Sequence, residues 1–216
     1  MSTAHVVIAV KDLATAKTRL ADSFSETDRA RLVVAMLQDT VRAAQAVEAV
    51  ASITVVTPDP EVAEIAHRMG ARVVADPSPD ESLDSADRLN SAFSAAVTSA
   101  LTEDGHDIIA LQADLPALRT EELTQAYESA RPAARSVVAD HHGTGTAALI
   151  LTAGTDDLTP LFGPASARRH RESGAHDLVG EWPGLRLDVD TLDDVRQAYS
   201  LGVGPATTEV LRSLGW

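Results

Sequence analysis

The chain has 216 residues, 18 basic against 32 acidic for a formal charge of −14, 44 % hydrophobic residues and no cysteine. That length suits one α/β domain; the missing cysteines exclude disulfides and thiolate metal sites, and the acidic balance argues against binding nucleic acid or an anionic membrane surface. No apolar run approaches a membrane span and the first residues lack a basic leader, so a cytoplasmic protein is expected.

Val6–Val10 is a continuous apolar run and reads as a buried strand. The segment after it holds Lys11, Lys17 and Arg19, and those two lysines are the only ones in the sequence. Lysine is a compact point charge on a flexible stem, suited to phosphate oxygens. A local basic cluster in an acidic chain points to a specific anionic ligand, although a solvated loop would look the same. Ser25-Glu26-Thr27-Asp28 marks a helix start, with helical apolar spacing to about Val47. Ile53–Thr57 is a second predicted strand, stopped by Pro58-Asp59-Pro60, and Glu61–Met69 a helix ended by Gly70. Arg72–Ala75 is a third strand. A loop rich in breakers and carboxylates, Asp76–Ser82, leads to a helix through Leu89, Ala92, Phe93, Ala96 and Leu101.

Asp107–Gln112 is the fourth strand, followed by Ala113-Asp114-Leu115-Pro116. Strands Ser136–Asp140 and Ala147–Leu151 flank the glycine turn Gly143-Thr144-Gly145-Thr146. Leu185–Asp190 reads as a last strand, and Thr191–Asp194 opens a helix. Alternation of strand and helix predicts one Rossmann-like α/β domain, residues 1–216. Its sheet is mostly parallel with helices on both faces, and the second half makes an antiparallel excursion.

Ligands of such sheets bind beyond the carboxyl ends of the strands. The basic loop, Asp114, and the pair Asp188 and Asp190 all fall there. Asp114 reads as a metal ligand, or alternatively as a turn former or a cap for the helix near Glu121. Asp188 and Asp190 share one side of a strand and repel unless a cation lies between them. One of Asp190 and Thr191 is expected to cap the following helix, which makes Asp188 the better ligand. Phe162-Gly163-Pro164-Ala165-Ser166, with Ser166 as a candidate N-cap and Arg168, Arg169, His170 and Arg171 behind it, reads as a second anion site or an exposed basic helix end. The seven histidines show no HExxH spacing, so no zinc site is expected.

Taken together, these motifs resemble the CofC/FbiD guanylyltransferases along nearly the whole chain, the tail Gly202–Thr207 and Trp182–Leu185 looking most like the actinobacterial branch. The resemblance implies a nucleotidyltransferase fold. It also implies a reaction of GTP with phosphoenolpyruvate, or with 2-phospho-L-lactate, that releases pyrophosphate during coenzyme F-420 biosynthesis. It implies Mg²⁺ on Asp114 and Asp188, with Asp190 as a further candidate, and phosphoenolpyruvate on Thr146, Gly163 and Ser166. Asn90 matches a position near the nucleoside, and Lys11, Lys17 and Arg19 would hold the triphosphate and the departing pyrophosphate. The acceptor is already an ionised phosphate, so positioning and charge neutralisation suffice without a protein nucleophile. Transfer to a sugar phosphate or molybdopterin, or a non-catalytic nucleotide sensor, are the more distant alternatives. The sequence fixes neither the number of Mg²⁺ ions nor the oligomeric state, and a homodimer stays open.

Overall fold

Strand β1 (Ala4–Ala9) sends Val6 and Ile8 to one side of the sheet and Val7 to the other, and all three are buried. Both faces must therefore be covered. The computed structural model describes residues 3–75, 87, 90–94, 97, 106–153 and 159–216. The predicted loop Asp76–Ser82 and much of the helix after it lie outside these residues.

One face is covered by α1 (Glu26–Gln45), α2 (Pro60–Arg68), α4 (Thr120–Ala130), α7 (Leu192–Leu201) and α8 (Pro205–Ser213), which supply Leu32, Met36, Val62, Leu123, Val195 and Leu211 to its core. On the other face lies α3, whose described helical residues are 87, 90–94 and 97; its Phe93 stacks on Phe162 with ring centroids 4.5 Å apart. The seven strands run in the order β3-β2-β1-β4-β6-β5-β7, with β2 at Val50–Thr57, β3 at Arg72–Ala75, β4 at Asp107–Leu111, β5 at Arg135–Ala139, β6 at Thr146–Leu151 and β7 at His176–Asp177. β1 is parallel to β2 and β4, β2 to β3, and β5 to β7, while β6 is antiparallel to both neighbours. The expected α/β fold with its antiparallel excursion is present. The chain winds outward in opposite directions from β1 and β4, so the crevice between their carboxyl ends is the switch point where such folds bind ligands.

The caps expected at Ser25 and Gly70 are present. Ser25 Oγ accepts from the Asp28 N–H at 3.2 Å, and Gly70 adopts φ +80° just past α2. Asp59 holds two elements: one oxygen caps α2 at Glu61 and Val62, the other accepts from the Leu13 N–H in the loop after β1.

The predicted last strand is not there. Residues 183–186 form the short helix α6 (Pro183–Arg186), with Pro183 in its first turn. The buried Glu122 carboxylate accepts from the N–H groups of Gly184 and Leu185, and a Cβ on Gly184 would meet the Ala117 carbonyl, so only glycine fits. Residues 187–190 then form no ladder, because β1 and β6 already occupy both edges of β4. One backbone bond, Val189 N–H to Asp114 O at 3.1 Å, ties the segment down. The expected alternation survives: Leu187 and Val189 are buried while Asp188 and Asp190 are partly exposed.

Candidate active site

The first cluster forms at the carboxyl end of β1. Asp12 Oδ1 accepts from the Ala14 N–H and starts a short 3₁₀ turn (Leu13–Thr15), after which Lys17 takes a left-handed backbone, φ 52° and ψ 43°. That conformation costs a non-glycine residue of order 1 kcal/mol and persists where the surroundings enforce it. Among the described non-glycine residues only Lys17 and Ala165 share it, and each sits in one of the two segments expected to hold an anion. The Lys17 ammonium donates to Asp114 Oδ2, and to Asp190 Oδ1 at 2.8 Å; Arg19 Nη1 approaches Asp190 Oδ2 at 3.5 Å. Burial works against the charged lysine, but Asp114 and Asp190 outweigh it and hold its pKa above the ordinary value. Burial likewise opposes the charge on Asp190, yet Lys17, Arg19 and the exposed Lys11 keep its carboxyl below the usual range.

Asp114 is fixed from both sides. The buried Thr40 hydroxyl on α1 contacts the carbonyls of Met36 and Ala113 and accepts from the Leu115 N–H. Asp114 therefore neither caps α4, whose N-cap is Arg119, nor simply turns the chain. Thr191, not Asp190, caps α7, in a capping box with Asp194, and Asp190 is left for Lys17. Asp188 faces the other way electrostatically: burial first, then the charges of Asp114, Asp140 and Asp190, push it up to about 7.

The second cluster joins the glycine turn to α5 (Ser166–Glu172). Asp140 accepts from the Thr144 and Gly145 N–H groups, and a Cβ on Gly145 would collide with that carboxylate. The Thr144 carbonyl accepts from the Ala167 N–H, so the turn is docked on the helix. The N-cap of α5 is Ala165, and Ser166 is its first residue, buried, with its N–H donated to the Gly163 carbonyl. The expectation of Ser166 as the cap is corrected: Ala165, at φ 54°, turns the chain one residue earlier. His170 is fully buried, and burial followed by Arg135 and Arg169 pulls its pKa down to about 4. Its Nε2 accepts from the Leu161 N–H at 2.9 Å, so the proton of the neutral ring sits on Nδ1, which donates to Thr146 Oγ1 at 2.9 Å. The threonine's own O–H is thereby left to donate elsewhere. Thr146, Gly163 and Ser166 thus belong to one cluster, and it adjoins the first through Asp140 and His141, the latter 3.4 Å from Asp188.

The family described as "Guanylyl transferase CofC like" matches residues 4–216. The chain belongs to this family. Among its CofC-like relatives, phosphoenolpyruvate guanylyltransferase 1 of Rhodococcus jostii is 52 % identical over 98 % of this chain and 94 % of its own length. Phosphoenolpyruvate guanylyltransferase of Mycolicibacterium gilvum is 53 % identical over 95 % and 94 %. A solved nucleotidyl transferase from Methanothermobacter covers 98 % of the chain with a TM-score of 0.60 at 18 % identity. A crystal structure from Desulfovibrio desulfuricans covers 99 % of the chain with a TM-score of 0.69 at 17 % identity. These two likenesses establish the fold.

The resemblance to the CofC family implies Mg²⁺ at the carboxylates, and the residues present fit it. Asp114 Oδ1 and Asp188 Oδ1 are buried and have no hydrogen-bond partner, and Asp188 is surrounded by three other carboxylates. Hard oxygens in excess negative charge suit a hard divalent cation. Asp190 is already matched by Lys17 and Arg19, so the oxygens in search of a cation are those of Asp114 and Asp188.

Asn90, expected near the nucleoside, has its side-chain amide committed to the backbone of Phe162: Nδ2 donates to the carbonyl at 3.1 Å and Oδ1 accepts from the N–H at 2.7 Å. It clamps α3 to the segment carrying Gly163. Thr40, Asp140 and His141 escaped the sequence reading. Asp140, three residues before Gly143, carried a usable signal; Thr40 is one more buried position on α1.

Proposed function

We propose that this chain transfers GMP from GTP to phosphoenolpyruvate. An oxygen of the acceptor phosphate attacks the α-phosphorus. The bond from that phosphorus to the bridging oxygen of the β-phosphate breaks, and its electron pair leaves on pyrophosphate. The observation that supports this reading best is the abutment of two anion clusters on one carboxylate pair, in a chain about half identical to proteins bearing that name.

The nucleotide is assigned to the Lys17 cluster. An ammonium has three donors; two serve Asp114 and Asp190, and the third is free for a phosphate oxygen. Arg19, with a side chain 74 % exposed, and Lys11 extend the positive field outward toward departing pyrophosphate. The acceptor is assigned to Thr146, Gly163 and Ser166, where the Thr146 hydroxyl donates and His170 keeps it turned that way. Asp114 and Asp188 would hold Mg²⁺, which when bound supplies charge neutralisation between the two polyanions. A cysteine-free chain with no membrane-spanning helix among its described residues is assigned to the cytoplasm.

The test pairs GTP, CTP or ATP with phosphoenolpyruvate, 2-phospho-L-lactate or a sugar phosphate and identifies products by mass. A guanosine diphosphate-linked enolpyruvate as the preferred product supports the assignment. Preferred turnover of a sugar phosphate, or of another nucleotide, overturns it.

A further inference from the structure

We propose that His141, His142 and Asp194 form a second metal site, for a transition ion of the zinc class, beside the candidate catalytic carboxylates. One ligand atom from each lies within 4.8 Å of the others, and the two imidazoles lie 3.8 Å apart between centroids. The Asp114, Asp188 and Asp190 carboxylates make no such convergent trio among the described residues, since Lys17 stands between two of them.

The donors are arranged for an ion. Asp194 Oδ2 is consumed by the N–H groups of Asp190 and Thr191 and the Thr191 hydroxyl, which leaves Oδ1 facing His141 Nε2 at 3.2 Å. Neither ring nitrogen of His141 has a hydrogen-bond partner, although both are buried. Unpartnered buried polar atoms are costly, and a cation on Nε2 removes that cost. The His141 backbone is fixed by its N–H to the Arg186 carbonyl at 2.7 Å. On its far side Nδ1 lies 3.4 Å from Asp188 Oδ1, and a carboxylate behind the ligating imidazole is the usual outer partner in such sites. Two imidazole nitrogens and one carboxylate favour Zn²⁺ or Co²⁺ over the hard, oxygen-seeking Mg²⁺. A cavity of about 610 Å³, with His141, Trp182, Arg196 and Gln197 in its wall, borders the site on the His141 side. The fold assembles the site from residues 53 apart in the chain, so HExxH spacing never announces it. Through the imidazole, an ion here would also set the orientation of Asp188.

The test titrates chelator-treated, full-length protein with Co²⁺, read by the visible absorption of the tetrahedral ion, and with Zn²⁺ in competition. One equivalent of Co²⁺ should bind and Zn²⁺ should displace it, while excess Mg²⁺ should not. His142→Ala, an exposed position, should weaken binding roughly tenfold or more, and Asp114→Ala should leave it unchanged. No saturable binding, equal binding in His142→Ala, or binding lost in Asp114→Ala would overturn the proposal.

Discussion

His170 Nδ1 donates to Thr146 Oγ1 at 2.9 Å, and that bond decides which way the threonine hydroxyl can donate. Because Nε2 is held by the Leu161 N–H, the ring has one tautomer and Thr146 has one free proton. Thr146→Val should therefore raise the KM for phosphoenolpyruvate roughly ten- to a hundredfold, the value of a hydrogen bond to a charged group, with the KM for GTP little changed. His170→Phe, which keeps a ring against Phe162 but removes both hydrogen bonds, should shift the same constant in the same direction. Steady-state kinetics with each substrate varied in turn decides it; a selective rise in the GTP constant would place Thr146 at the wrong substrate.

The same histidine makes stability depend on pH. Its folded pKa, about 4, lies below the ordinary 6.5. Between these values the unfolded chain binds the extra proton, so stability rises with pH across that window and is lost as pH falls from 6.5 toward 4. The full difference is worth about 3 kcal/mol at most. His170→Phe should flatten this part of the stability–pH curve relative to wild type. Parallel curves from denaturant unfolding at pH 4.5, 5.5 and 6.5 would show that His170 does not carry the effect.

Lys17 is both a proposed phosphate ligand and the cation between Asp114 and Asp190. Lys17→Ala should lower kcat at least about tenfold, because a donor aimed at developing charge is lost. Lys17→Arg should restore little, because a planar fork does not replace a compact ammonium between two carboxylates. Full activity in either variant, measured as turnover at saturating substrates, would remove Lys17 from the reaction.

Thr40 lies under Asp114 and touches no proposed substrate site. Thr40→Val keeps the shape but orphans the Leu115 N–H, and should cost about 1–3 kcal/mol of stability. The concentration of Mg²⁺ needed for half-maximal rate should rise with it. A stability loss with an unaltered Mg²⁺ requirement would make Thr40 structural only.

Much of this was readable from residue patterns. The five-residue apolar run at Val6 marked a buried parallel strand. Asp114 follows the strand expected before it, and the loop expected to carry both lysines brings Lys17 against Asp114 and Asp190. What patterns could not show was which neighbour wins. Leu185–Asp190 alternates like a strand, yet Pro183 and the buried Glu122 turn its start into helix, and β4 offers no free edge to the rest. Ser166 looks like a cap, but a left-handed Ala165 takes that place. Asn90 has the chemistry to read a base and uses it on the backbone of Phe162. The Glu122–Leu185 and Asn90–Phe162 contacts span 63 and 72 residues and leave no local trace.

The most direct test measures pyrophosphate release from GTP and Mg²⁺, with and without phosphoenolpyruvate, for the wild-type chain and Asp114→Ala. The expected result is release that requires phosphoenolpyruvate and collapses in the variant. Release that ignores phosphoenolpyruvate, or persists undiminished in Asp114→Ala, would contradict the proposed reaction and its site.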